Sequence, residues 1–348
     1  MPEQPCDFSG KDITIAPTAV EQAHKDTESG YKSYNTESIM KILVTYDIPR
    51  EPFASLPENW EVTFPEKEAL DKEELIRMLP DYDVMLAIFH HPIDKEILDA
   101  GKKLKLISNY GVGYNNIDIR YARQKGIAVS NTPHSVCNPT AELAMALMLS
   151  AARRIAECNL RIRTEKESMW GTMRNLGFGL EGKTLGIIGM GNIGKSVARK
   201  AEAFGMNIIY HNQHSEVPGY RKTDLPSLLQ QSDFITLHTP LTPETRHLIG
   251  KQELAQMKKT AILINTARGA VIDEAALTES LMKRKIAGAA LDVFEYEPRI
   301  TEQLYRLDNV VLTPHIGTGT IDARIAMGQE AIDNIRNFFA GTPTNIVN

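Results

Sequence analysis

The chain has 348 residues, of which 42% are apolar and 24% charged, and a formal net charge of −5. This is the balance of a soluble globular protein with length for two ordinary cores, and the slight negative charge gives no footing for nucleic acid or an anionic membrane as partner. Three cysteines without a C-x-x-C pair exclude a disulfide framework and a metal site and point to a reducing cytoplasm, while no apolar run is long enough to span a bilayer and no signal-peptide core opens the chain.

Residues 1–39 are dominated by Ser, Thr, Asp, Glu, Lys and Gly and read as a polar arm. Met40 opens the first apolar run, a natural domain start and a candidate initiator. Strands are then expected at 41–45, 61–64, 84–89, 104–108 and 127–129, with helices at 67–79, 94–100 and 117–125, the last two closed by Gly101 and Gly126. Such alternation predicts a parallel α/β domain. Pro139 opens the longest predicted helix, running to about residue 163. Its apolar residues nearly encircle it around 143–149, so it is expected to be buried between domains or between subunits.

Leu185, Ile187 and Ile188 then form a charge-free β run that leads straight into Gly189-Met190-Gly191-Asn192-Ile193-Gly194, a G-x-G-x-x-G. Helix-forming residues follow up to Gly205, and a second strand is expected at 207–210. Gly189 permits the tight turn, Gly191 lets backbone approach a pyrophosphate, and Gly194 lets helix and strand pack closely. The helix N-terminus then offers N–H groups and a positive dipole end to phosphate. A lone glycine pattern is weak; its βαβ setting makes it a dinucleotide site.

Further strands are expected at 234–237, 261–265, 288–291 and 310–312, with helices at about 225–231, 251–256, 274–283 and 323–339. The last is long enough to return to the first domain. The organisation is thus a polar arm (1–39), a substrate domain (40–138 and 319–348) and an inserted dinucleotide domain (139–318), two Rossmann-like doubly wound parallel sheets with a cleft between them.

Three of these strand ends carry chemistry. Arg268 follows an apolar strand beside Gly269, where ligands bind in open α/β sheets, and its guanidinium suits a carboxylate. Asp292, Glu295 and Glu297 follow a small-residue strand, and His315 follows another. A carboxylate beside a histidine orients the ring and favours its protonated form, which suits a general acid for a carbonyl oxygen.

With Tyr110-Gly-Val-Gly113, Asn116-Ile-Asp118, Asn131-Thr-Pro133 and Thr140-Ala-Glu142, these motifs make the chain resemble the D-isomer-specific 2-hydroxyacid dehydrogenases from about residue 41 to 339. The resemblance implies that Arg268 binds the substrate carboxylate and polarises the 2-oxo group, that His315 donates the proton, and that Glu297, the residue before proline, rather than Glu295 tunes it. It also implies that Asp292 meets the nicotinamide carboxamide, and that the amides of Val112 and Gly113 bind the carboxylate from the opposite wall. His238, Thr239, Pro240, Thr266, Ala267 and Gly317 would line the cofactor beside Gly189, Gly191, Asn192, Ile193 and Gly194. The family further implies a homodimer with the helix at 139–163 in its interface.

The second strand of the dinucleotide unit ends at Asn212 rather than at an acid. A neutral residue removes repulsion against a 2′-phosphate and favours NADP(H), with NAD(H) the alternative. Gln213 follows where an arginine would be usual, and His214, Arg221 and Lys222 are the nearby cations, the last two read as surface loop. The resemblance implies that the loop holding His90 and His91 faces the cleft; it offers no arginine to grip a phosphate, which disfavours phosphoglycerate and leaves glyoxylate, hydroxypyruvate or a similar small 2-oxo acid. The alternatives are a phosphoglycerate-type or phosphonate dehydrogenase and a non-catalytic dinucleotide-sensing transcriptional corepressor.

Overall fold

The computed structural model describes residues 39–88, 92–166 and 170–348. The expectations for residues 1–38 and for His90 and His91 lie outside the described residues. Two all-parallel sheets build the fold, one of five strands in the order β2-β1-β3-β4-β5 and one of seven in the order β12-β11-β10-β9-β6-β7-β8.

The first sheet comprises β1 (Met40–Val44), β2 (Trp60–Thr63), β3 (Val84–Ala87), β4 (Leu106–Asn109) and β5 (Ala128–Ser130). Residues of β3 and β4 are buried throughout, the pattern of strands covered on both faces. The helices α1 (Lys72–Met78), α2 (Lys95–Ala100) and α3 (Ile119–Gln124) pack against one face. Each starts later than its apolar pattern predicts. Asp71, Asp94 and Asp118 accept first-turn amides as N-caps, which fixes the helix start one residue beyond the aspartate.

The predicted 139–163 helix is two helices, α4 (Cys137–Ala152) and α5 (Ile155–Glu165). Arg154 adopts φ 54° between them and is held there by its own guanidinium, which donates to Glu157 at 2.7 and 2.6 Å. Pro139 is the third residue of α4 rather than the first; it still lies in the first turn, where no intrahelical N–H is needed. The apolar wrap of α4 is consumed inside the chain, against Val197, Ala198 and Ala201 of the helix after the glycine turn and against the second sheet, and α5 buries no residue.

The second sheet comprises β6 (Thr184–Ile188), β7 (Asn207–His211), β8 (Arg221–Lys222), β9 (Phe234–Leu237), β10 (Ile262–Asn265), β11 (Gly288–Leu291) and β12 (Val310–Leu312). Its helices are α6 (Asn192–Ala203), α7 (Leu225–Gln231), α8 (Lys251–Gln256) and α9 (Glu274–Met282). The short β8 was not expected: Arg221 and Lys222 pair with Ile209 and Tyr210 instead of lying in a loop. Two residues are too few to produce a period-2 signal.

The final helix, α10 (Ile321–Phe339), lies on the first sheet, burying Ile332, Ile335, Phe338 and Phe339 with Trp60 and Leu106. Asn334 on its inner face is 2% exposed and fully engaged. It donates to Asn131 O at 2.8 Å and accepts from Thr344 Oγ1 and Asn345 Nδ2, both at 2.9 Å. Replacing Asn334 by Ala strands these buried groups and is expected to lower the unfolding free energy by about 1–3 kcal/mol in urea denaturation.

Candidate active site

The carboxyl ends of strands from both sheets open on one cavity of about 480 Å³. On the dinucleotide wall, β6 runs into the glycine turn. Gly189 has φ +98°, and a Cβ there would lie 2.6 Å from the His238 carbonyl carbon, so conformation and space both require glycine. A Cβ on Gly194 would come within 2.3 Å of Gly189 O, the close approach of helix to strand. Gly191 faces open space, and no side chain caps the first turn of α6 that it begins. Those amides, with Asn192 and Ile193 lining the cavity, are the arrangement that accepts a phosphate.

His238, Thr239, Pro240, Thr266, Ala267 and Gly317 line the same cavity. The His238 ring lies 2.9 Å from Thr236 Oγ1, and burial pushes its pKa down to about 3, so it is a neutral, polar wall. Burial raises the Asp292 carboxyl above its usual range. Its Oδ1 accepts from Thr313 Oγ1 at 2.7 Å and from the Ile316 amide at 2.8 Å, whereas Oδ2, beside Gly317 at the cavity wall, is buried with no partner at hydrogen-bond geometry among the described residues. An unsatisfied acceptor there fits the amino group of a carboxamide. Vacant amides at the glycine turn and this acceptor fit the two ends of a nicotinamide dinucleotide.

Arg268, just past β10, donates through Nη1 to Ala267 O at 2.6 Å and through Nε across the cleft to Asn115 Oδ1 at 3.0 Å. Burial depresses its pKa, and the charge of Glu297 partly offsets that effect. The guanidinium lies directly on Gly113, where a Cβ would fall 1.5 Å from Nη2. Only glycine leaves room for it.

Glu297 stands behind the cavity wall. Its Oε2 lies 3.0 Å from His315 Nδ1, and its Oε1 accepts from the Phe294 amide at 2.9 Å. Burial pushes the Glu297 carboxyl up, but the bond and charge of His315, the Phe294 amide and Arg268 together outweigh burial and hold it below its usual value. His315 takes φ 52° and is pinned by its own amide to Asp292 O at 2.8 Å. Arg268, Asp292 and His315 therefore meet at one cavity, with Glu297 behind His315.

On the facing wall Asn109 Nδ2 donates to the carbonyls of Gly111 and Gly113 at 2.7 and 3.0 Å, and Asn131 Nδ2 to that of Val112 at 2.8 Å. With all three carbonyls bound from behind, the amides of Val112 and Gly113 have no partner among the described residues, and both residues line the cavity. Oriented amides opposite a guanidinium have the chemistry to accept a carboxylate. Asn109, Asn115 and Asn131 are site residues that sequence reasoning missed, because an asparagine after a strand looks like any turn residue. Arg324, in the first turn of α10, also lines the cavity and has no hydrogen bond or ion pair from its guanidinium among the described residues. No pattern in the sequence connects it to a cleft shared with Tyr110–Asn115, more than two hundred residues earlier.

Asn212 lies outside the cavity. Its Oδ1 accepts from the Met190 amide at 2.6 Å and its Nδ2 donates to Ser215 Oγ at 2.8 Å, which ties the end of β7 to the glycine turn. Among the described residues there is no cluster of metal-ligating side chains and no helix long and apolar enough to cross a membrane. Cys137 and Cys158 are free thiols.

Residues 145–317 match the family model for the NAD-binding domain of D-isomer specific 2-hydroxyacid dehydrogenases. A glyoxylate reductase of Thermococcus litoralis is 43% identical over 88% of this chain and 96% of its own length. A crystal structure of a glyoxylate reductase from Paecilomyes thermophila superposes with a TM-score of 0.81 at 36% identity, covering 88% of this chain and 98% of that one. An NADPH-dependent glyoxylate/hydroxypyruvate reductase from Sinorhizobium meliloti, solved with NADP and malonate, gives 0.78 at 30% identity, covering 89% and 97%. The chain belongs to the D-isomer-specific 2-hydroxyacid dehydrogenases, nicotinamide-dinucleotide-dependent oxidoreductases that act on the CH–OH group of 2-hydroxy acids.

Proposed function

We propose that this enzyme reduces a small 2-oxo acid of the glyoxylate or hydroxypyruvate type to the D-2-hydroxy acid, with NADP(H) preferred over NAD(H). The observation that carries the reading is the meeting of Arg268, His315 and the unpartnered Val112 and Gly113 amides at one cavity, with Glu297 on His315 Nδ1. The bound nicotinamide supplies the hydride that reduces the substrate C2. Arg268 and the two amides hold the carboxylate from opposite walls, and the same guanidinium polarises the 2-oxo group. Glu297 occupies Nδ1 and so assigns proton transfer to Nε2 of His315, which protonates the oxygen as the carbonyl becomes an alcohol. Apposition of the two walls around the substrate excludes water. His315→Ala should lower kcat for reduction by about two to four orders of magnitude and leave the dinucleotide Kd unchanged. Turnover surviving within about tenfold, a difference of only about 1.4 kcal/mol, would remove His315 from the role of proton donor.

The cofactor preference rests on charge. Asn212 brings no negative charge to the end of β7, and Arg221 and Lys222 stand on the adjoining strand β8. An acid in place of Asn212 would accept hydrogen bonds from unmodified ribose hydroxyls and repel a 2′-phosphate. Asn212→Asp is therefore expected to shift the ratio of kcat/KM for NADPH over NADH toward NADH by tenfold or more. An unchanged ratio would discard the assignment.

The enzyme is proposed to act as a homodimer. The interface is assigned to α5 and Trp170 rather than to α4: Leu160 and Ile162 are 60% and 57% exposed on a helix that buries nothing in its own chain, and Trp170, beyond its end, is 89% exposed. Large apolar side chains left exposed by a helix that buries none of its own residues suit an association surface. Light scattering should give twice the chain mass, and Leu160→Glu with Ile162→Glu should give the monomer.

A further inference from the structure

Glu295 is a carboxylate two residues from Glu297, yet it turns the other way. Its side chain is 4% exposed, and Oε1 accepts from His247 Nε2 at 2.7 Å and Arg246 Nη2 at 3.1 Å. Its Oε2 lies 3.3 Å from the Glu274 amide at the start of α9. Glu274 returns the contact: Oε2 accepts from the Glu295 amide at 2.8 Å, and Oε1 from the amide of Thr301 at 3.2 Å and from its hydroxyl. Each buried carboxylate thus binds the other's backbone N–H. A lone staple would need one such bond; this is a closed bracket between two segments.

Both segments carry active-site residues. The loop 293–301 holds Glu297, whose Oε1 is itself bonded to the Phe294 amide. The start of α9 directly continues the turn from Arg268, and Gly269 in that turn is pressed on the same loop, with a Cβ there only 1.9 Å from the Phe294 carbonyl carbon. The 246–249 segment closes the assembly, with the His247 and Ile249 amides donating to Ala270 O at 2.8 Å and Val271 O at 3.1 Å. None of Glu274, Glu295, Arg246 and His247 lines the cavity.

We infer that Glu295 is a positioning residue for the reduction: bracketed with Glu274, it sets the loop that carries Glu297, and through Glu297 the aim of His315, in register with Arg268. The inference rests on the functional reading above. Buried carboxylates are costly to keep charged and unpaired, so a bracket satisfied by three amides, a hydroxyl, a guanidinium and an imidazole holds one geometry where an apolar contact would tolerate several. A displacement of about 1 Å at a reacting group is enough to cost about a hundredfold in rate.

The test is a double-mutant cycle on the full-length enzyme. Glu295→Ala is expected to lower kcat by about ten- to a hundredfold with KM for the dinucleotide within about twofold. In a Glu297→Ala background the same substitution should cost no further rate, because the residue it positions is gone. Glu295→Gln keeps the side-chain length and one acceptor oxygen and serves if the alanine variant fails to fold; it should retain more kcat than Glu295→Ala, with the same loss of effect in the Glu297→Ala background. Wild-type kcat in a folded Glu295 variant, or an equal loss in both backgrounds, overturns the positioning role while wild-type turnover leaves the functional reading standing. No wild-type turnover of any small 2-oxo acid overturns both.

Discussion

The 3.0 Å contact between Glu297 Oε2 and His315 Nδ1 is the one on which the rest of the site depends. An imidazole with one nitrogen held by a carboxylate has a defined tautomer and a defined direction for the other nitrogen. Neither partner is placed by that contact alone. His315 is held at φ 52° by its amide on Asp292 O, and Glu297 by the Phe294 amide, so the end of β11 supplies the reference for both. Both anchors leave the end of a strand paired on both sides, β11 between β10 and β12.

The opposite wall solves a different problem with neutral groups. The half-buried loop 111–113 has three carbonyls to satisfy, and Asn109 and Asn131 do so from behind the cleft. Their amide groups turn the peptide planes so that the N–H groups of Val112 and Gly113 are left over. Arg268 reaches these peptides because residue 113 has no side chain, and Asn115 takes its Nε. A guanidinium whose charge is disfavoured by burial, and two amides without a partner among the described residues, give this cavity a polarity suited to an anion. Low polarity around these groups strengthens each interaction with that anion.

The segments flanking the site follow the same economy of satisfied polar groups. Asn334 links α10 to Asn131 and the C-terminal segment, so the helix that returns from the second sheet is bonded into the wall of the first. Asn212 bonds the Met190 amide and thus fixes the glycine turn as well as the end of β7. Arg154 breaks the predicted long helix and leaves α5 projecting with its apolar side chains outward.

Much of this was determined by the sequence alone. Alternating apolar runs and amphipathic stretches required parallel α/β sheets, and the glycine spacing after β6 required a phosphate-binding turn, because both are local consequences of periodicity and backbone freedom. Arg268, Asp292 and His315 were recognisable because each directly follows an apolar strand. What the sequence left open was decided only by contacts between distant segments. Resemblance alone singled out Glu297 over Glu295; the physical reason is tertiary, since the Glu274 bracket and the Phe294 amide send one toward His247 and the other toward His315. Helices start just after Asp71, Asp94 and Asp118 because capping bonds compete with apolar pattern at helix ends. Asn115 and Arg324 became site residues only when the two sheets faced each other, since no local rule encodes which strand ends will share a cleft.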